Sequence, residues 1–252
     1  MELFDVHCHL EDESFDYDRW EVIARAREAG VIRIVTSPLN SEDSLKALAL
    51  FRDNDTVSVS IGLDVSEYAD EVEVESTIGL ILENSDYIVG VGEVGLDYRV
   101  ASMGGPGKEK QKEVFRKFIR LAEEIDKPLI VHSLWAQRPA LNLLAEEGAS
   151  RVILHAFGGK PSDVELAVEK GWMISVPTNV VRSANLRGVV EASPLENIVL
   201  ESDAPVLAPN PSERNESANL VVSARFIAEL KGLSVEEVAD ITTSNARRVY
   251  WI

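Results

Sequence analysis

Eight short runs of apolar, largely β-branched residues recur along the chain, most of them followed by a segment with helical marks. Read as strands, they are Leu3–Cys8, Val31–Ser37, Val57–Gly62, Tyr87–Gly92, Leu129–His132, Val152–His155, Trp172–Val176 and Asn197–Leu200. Most are apolar throughout rather than alternating, as strands covered on both faces must be. The helical segments carry their own punctuation. Asp18, with Glu21 three residues on, predicts a capping box, and Gly30 closes that helix. Within residues 108–125, Val114, Phe118, Leu121, Ala122 and Ile125 form one stripe of helical periodicity. Pro161 suits a first helical turn that ends before Gly171, and Ser234 with Glu237 caps a last helix. Eight such units in 252 residues predict an α/β fold, a (β/α)8 TIM barrel forming one domain over residues 1–252, because such barrels take about 250 residues. A doubly wound open sheet is the alternative.

Bulk properties narrow the classes of function. No apolar run reaches the roughly 18 residues of a membrane span. Met1-Glu2-Leu3-Phe4-Asp5 has neither a basic nor an apolar leader region, and Cys8 is the one cysteine, so a cytoplasmic, disulfide-free protein is expected. The net charge of −18 disfavours a protein that coats nucleic acid, since its field repels polyanions at long range. An enzyme that grips only a strand end or a small phosphate remains compatible with it.

The four histidines are placed systematically. His7 and His9 end the first run as Asp-Val-His-Cys-His, His132 closes Pro-Leu-Ile-Val-His, and His155 closes Arg-Val-Ile-Leu-His. In a barrel, the C-terminal strand ends carry the active site. Glu93 follows Ile-Val-Gly-Val-Gly, and Asp203 follows Ile-Val-Leu-Glu-Ser. A buried carboxylate needs a partner, and a metal is one. Residues two apart on a strand share a side, so His7 and His9 can hold one ion with Cys8 turned away as a small buried apolar residue. Imidazole and carboxylate suit Zn²⁺ and also Mn²⁺, Fe²⁺, Co²⁺ or Ni²⁺. Six ligands exceed the three usual for one catalytic zinc and suffice for two ions bridged by a carboxylate.

These residues sit inside longer motifs. They are Asp5-Val-His-Cys-His-Leu10, Gly92-Glu-Val-Gly-Leu-Asp-Tyr-Arg99, Gln111 with Phe115, Lys127-Pro-Leu-Ile-Val-His-Ser133, Ile153-Leu-His-Ala-Phe-Gly-Gly159, Glu201-Ser-Asp-Ala-Pro205, Arg214-Asn-Glu216 and Thr242-Thr-Ser-Asn245. In this order, and nearly end to end, the chain resembles the TatD-type deoxyribonucleases of the amidohydrolase superfamily. The resemblance implies that His7, His9 and Asp203 hold one ion, that His132 and His155 hold another, and that Glu93 bridges them. It implies phosphodiester hydrolysis, typically trimming DNA from an end, with two divalent ions such as Mg²⁺, Mn²⁺ or Zn²⁺. Asp203 and Glu93 are then the catalytic residues, Asp203 as the general base. The chain departs from the family pattern at substrate-facing positions. Gly62-Leu63-Asp64-Val65 lacks the histidine of Gly-x-His-Pro, Ala204 replaces a serine, Ser217 a proline and Leu134 an arginine.

Other candidates are weaker. Tyr98, Arg99, Ser133 and Lys160 are candidate substrate contacts, with Arg182 a further phosphate-binding candidate. Asp97 is as well read as a loop-holding residue. Arg214, Asn215, Glu216 and Asn245 read as structural, and Asp70–Glu75 as a solvated helix face. The expected partners are a nucleic-acid end or a small phosphodiester or ester, with no membrane and no stable protein partner. The alternative functions are hydrolysis of a small amide, lactone or ester, and a metal-binding scaffold without turnover.

Overall fold

Eight parallel strands pair in chain order, and the ring closes between the last and the first. The computed structural model describes residues 1–251. The strands are β1 Leu3–Cys8, β2 Val31–Thr36, β3 Val57–Ile61, β4 Gly90–Gly95, β5 Leu129–His132, β6 Val152–Leu154, β7 Met173–Val176 and β8 Ile198–Leu200. Around them lie α1 Arg19–Glu28, α2 Ser41–Phe51, α3 Glu71–Glu83, α4 Tyr98–Ser102, α5 Lys108–Glu124, α6 Gln137–Glu147, α7 Pro161–Glu169, α8 Ala184–Ala192, α9 Leu220–Lys231 and α10 Val235–Tyr250. The closed ring rules out the doubly wound open sheet.

The period-two geometry of the strands separates two apolar layers. Leu129, Val131, Val152, Leu154, Ile174, Ile198 and Leu200 point outward and pack with the helices. Phe4, Val6, Val35, Ile130, Ile153, Met173 and Val199 form a separate inner cluster. One period-two step further along the same strands come Ser37, His132, His155, Ser175 and Glu201, which therefore form the next layer toward the C-terminal face. The first strand breaks the period. Its register against β2 shifts between Asp5 and Cys8. That irregularity lets the consecutive Val6 and His7 both face inward, while Cys8 joins the outer packing and its thiol donates to the Val35 carbonyl at 3.5 Å.

The N-terminal end of the barrel is closed by α10. Ala246, Val249 and Tyr250 join the inner cluster. The Tyr250 ring stacks on Phe4 with centroids 5.7 Å apart, and its hydroxyl donates to the Val6 carbonyl at 2.9 Å.

Two local expectations are corrected. The fourth strand runs over Gly90–Gly95, not Tyr87–Gly92. Tyr87 and Ile88 instead donate their amides to Asn84 in the turn after α3. The strand is the glycine-rich stretch because β4 lies too close to β5 for side chains. A Cβ on Gly95 would stand 2.0 Å from the His132 carbonyl oxygen, and one on Gly92 2.6 Å from that of Ile130. Glu93 is therefore within the strand rather than after it. The expected capping box at Asp18 does not form either. That carboxylate pairs with Arg214, 2.6 Å away on the loop after β8. The Ser234–Glu237 box does form.

Candidate metal centre

Five side chains converge on a point at the C-terminal mouth of the barrel. Nε2 of His7 lies 3.3 Å from a Glu93 oxygen and 3.4 Å from Asp203 Oδ1. Nε2 of His9 lies 3.3 Å from the same Asp203 oxygen, and Nε2 of His155 lies 3.7 Å from Glu93 and 3.8 Å from Asp203. Two overlapping sets could each hold a cation: His7 with Glu93 and His155, and His7 with His9 and Asp203. His132 approaches from β5, its Nδ1 donating to Glu93 at 2.6 Å and its Nε2 facing Asp97 at 3.3 Å.

The rings are aimed from behind. His9 donates Nδ1–H to the Ser37 carbonyl at 2.8 Å, and His155 donates Nδ1–H to Glu201 at 3.0 Å. Both leave Nε2 free toward the common point, the arrangement by which metal-binding imidazoles are oriented. Glu201 is itself fully buried and accepts the Ala156 amide at 2.8 Å. Asp5 accepts both the amide and the hydroxyl of Ser202, at 2.8 and 2.6 Å, and so ties β1 to the segment carrying Asp203. Asp97 is fixed by Gln111, whose side chain accepts its amide and donates to its carbonyl.

The electrostatics are those of a cation site. Burial alone would lift the Glu93 carboxyl, but the charge of His155 and the His132 hydrogen bond take it well below its ordinary range. Asp203 is likewise lowered, with His155 chiefly outweighing burial. Burial opposes charge on the imidazoles, yet Asp97 and Glu93 push His132 up to about 9, and Glu201, Glu93 and Asp203 push His155 up to about 10. Protons thus neutralise a cluster of carboxylates, a role that a divalent cation fills as well. One observation tests the fit directly. His7 is fully buried, and neither ring nitrogen makes a hydrogen bond. A buried polar atom without a partner is costly. Imidazole and carboxylate donors around such a nitrogen suit a divalent ion.

A cavity of about 620 Å³ opens beside this cluster on the side of β5 to β8, bounded by His132, His155 and Asp203 and by Ser133, Trp135 and Asn179. Ser133 therefore faces the cavity. Tyr98 lies in a neighbouring hollow with Lys108 and Trp135. Arg99 is exposed on α4, and Lys160 is exposed at the start of α7, outside the linings of both hollows. Arg182 donates to the Ala208 carbonyl. Asp64 caps the turn after β3 through Ser66. Asn215 is buried and donates to Thr178, Ser202 and Val206, and Glu216 pairs with Arg25 at 2.7 Å, so this motif holds loops. Asn245 donates to the Leu195 and Ile198 carbonyls. The sequence reading gave no role to Glu201, Asp5 or Trp135. Glu201 and Asp5 each stand two residues before a candidate ligand, which was the available signal.

Comparison with known proteins is consistent along the whole chain. The family model described as TatD related DNase matches residues 4–251. A human protein named deoxyribonuclease TATDN3 is 38% identical over 98% of this chain and 94% of its own length. A Bacillus subtilis protein named as the metal-dependent hydrolase YabD is 34% identical over 99% of each chain. The crystal structure of YJJV, a TatD homologue from Escherichia coli, superposes with a TM-score of 0.91 at 24% identity, covering 99% of this chain and 98% of that one.

Proposed function

The chain belongs to the TatD-related DNase family, and on that footing we propose that it hydrolyses phosphodiester bonds, trimming DNA from an end, with two divalent ions at the barrel mouth. His7, His9 and Asp203 would hold one ion and His132 and His155 the other, with Glu93 shared between them. The observation that carries this is the buried His7 ring, unpartnered within the protein and facing both carboxylates. When bound, such ions acidify water and neutralise charge on phosphoryl oxygens. The chain's own residues do the rest. Asp203, which lines the cavity, would orient the attacking water and take its proton. Glu201 and the Ser37 carbonyl fix the tautomers of His155 and His9. Asp97 holds His132 from behind. Ser133 contacts the substrate from the cavity wall, with Tyr98 and Arg99 further out and Lys160 at the periphery.

Of zinc, magnesium and manganese, the four imidazoles favour zinc, and magnesium, which prefers oxygen ligands, suits this donor set least. We place the enzyme in the cytoplasm as one domain over residues 1–252, on the strength of its single buried cysteine and the one closed barrel. No helix among the described residues is long and apolar enough to cross a membrane. Hydrolysis of a small amide, lactone or ester is the second reading, favoured by a cavity lining without a lysine or arginine and by the net charge of −18.

The test is to strip the protein with chelator, restore Mg²⁺, Mn²⁺ or Zn²⁺ singly, and follow end-labelled single-stranded DNA with Glu93→Ala as control. Metal-dependent shortening absent from the control is the expected result. Two bound metal equivalents with no shortening would transfer the site to the second reading.

A further inference from the structure

The cavity beside the metal residues has a wall that the proposed chemistry leaves without a task, and Trp135 forms it. This indole is 63% exposed, on the loop between β5 and α6. Its φ is 55°, in the left-handed region that is costly for a bulky residue. The loop is nonetheless fixed, since Ala136 donates its amide to Ser133 and Tyr98 donates its amide to Leu134. Ala156, Asp203 and Leu207 also have positive φ, and all three line the same cavity. Such strain concentrates at ligand clamps and active sites.

The chemistry of the lining selects a class of ligand. It holds the amides of Gln137, Asn179 and Asn185 and no lysine or arginine. Asn179 Oδ1 is buried and accepts no hydrogen bond. A phosphate would be held elsewhere, by cations. A neutral, planar group with an N–H edge suits an exposed indole face and an unused amide acceptor. The volume is in the range of about 300–1,000 Å³ found for small-molecule pockets. Trp135 also divides this cavity from the outer hollow with Tyr98 and Lys108. There the Lys108 ammonium lies 4.5 Å from the Tyr98 ring centre. Unlike Lys110 and Lys112, which pair with Glu71 and Glu109, it has no carboxylate partner among the described residues.

We propose that Trp135 is a substrate-binding residue that stacks on the nucleobase of the terminal nucleotide, with Asn179 Oδ1 accepting from the base edge and Lys108 meeting the phosphate beyond the scissile one. Sequence-tolerant affinity then comes from stacking rather than from a basic groove, which a chain of charge −18 does not need to build. This rests on the phosphodiesterase reading and names how that site takes its substrate.

The test is a binding measurement that does not require turnover. The metal-restored protein is titrated with a phosphorothioate-linked thymidine trinucleotide, whose second linkage reaches the hollow of Lys108, following indole fluorescence and, in parallel, heat. The same titration is run with a trinucleotide whose first residue is abasic, and with Trp135→Phe and Trp135→Ala. The base-bearing ligand should quench the wild type. Trp135→Phe should bind with most of the affinity but without that quench. Trp135→Ala should bind roughly 10- to 100-fold more weakly. The abasic ligand should bind the wild type and Trp135→Ala alike. Lys108→Ala should weaken both ligands equally. A wild type that the base-bearing trinucleotide does not quench, or a Trp135→Ala loss equal for both ligands, would overturn the proposal. A urea midpoint shared by the variants establishes that the fold is intact. Quenching without cleavage of any DNA would sink the phosphodiesterase reading and leave the stacking site standing. Cleavage with unchanged KM in Trp135→Ala would do the reverse.

Discussion

The two ends of the barrel are built from the same strands and solve opposite problems. At the N-terminal end, Phe4, Val249 and Tyr250 fill the lumen, and the Tyr250 hydroxyl finds the Val6 carbonyl. Its polar atoms are spent inside the protein. At the C-terminal end, buried polar atoms remain unspent: both His7 nitrogens, Ser175 Oγ and Asn179 Oδ1. The strained residues Trp135, Ala156, Asp203 and Leu207 gather there as well. The lesson is a division of labour. One end is arranged for stability, and the other keeps bonding capacity in reserve for what binds.

Substitutions at each end can break that division. The largest expected effect is at the mouth. Asp203→Asn should lower turnover by about 10²–10⁴ while elemental analysis still finds most of the metal. Turnover close to wild type would remove Asp203 from the proton-accepting role. At the other end, Phe4→Ala should cost about 3–5 kcal/mol in urea unfolding, with activity per folded molecule unchanged. A fall in kcat for the folded fraction would show that the ends are coupled. Glu201→Gln should follow, with metal affinity or activity reduced roughly 10- to 100-fold, because His155 loses the carboxylate that sets its tautomer.

A pH series on the chelator-treated protein sharpens the contrast. His155 and His132 titrate near 10 and 9 rather than at their ordinary 6.5. Raised pKa values mean that the folded state holds these protons more tightly than the unfolded chain does. Their contribution is therefore complete below 6.5 and is lost as pH rises through about 9 and 10. The metal-free protein should lose unfolding free energy across that interval, and His155→Ala should flatten the slope. Added metal should counter the loss, since it requires the deprotonated rings. The smallest expected effect is Tyr250→Phe, about 1 kcal/mol for one hydrogen bond, with no change in the pH slope. A changed slope would place the mouth under the control of the base.

Much of this was legible in the residues, for identifiable reasons. Histidine is scarce in this chain, and each one ended an apolar run, so period and position marked all four. Glu201 carried no such mark. It is one of 43 acidic residues, and only its burial behind His155 separates it from the solvated ones. Apolarity favours Tyr87–Val89 for the fourth strand, whereas close approach to β5 selects the glycines after it. Asp18 misled for the opposite reason. Its local pattern was that of a cap, but Arg214 competes for it from far along the chain. Trp135 carries no mark in the sequence, since only its exposure separates it from an aromatic residue that packs.

Closure of the ring between β8 and β1 has a temporal consequence. His7 and His9 leave the ribosome among the first residues of the domain, and Asp203 only after all eight strands have been made. The helix that stoppers the opposite end emerges later still. A nascent chain therefore carries half of a cation site with nothing to complete it. Competence arrives in one late event, when the last strand docks against the first. Any hydrolytic capacity is withheld until the eighth strand is in place.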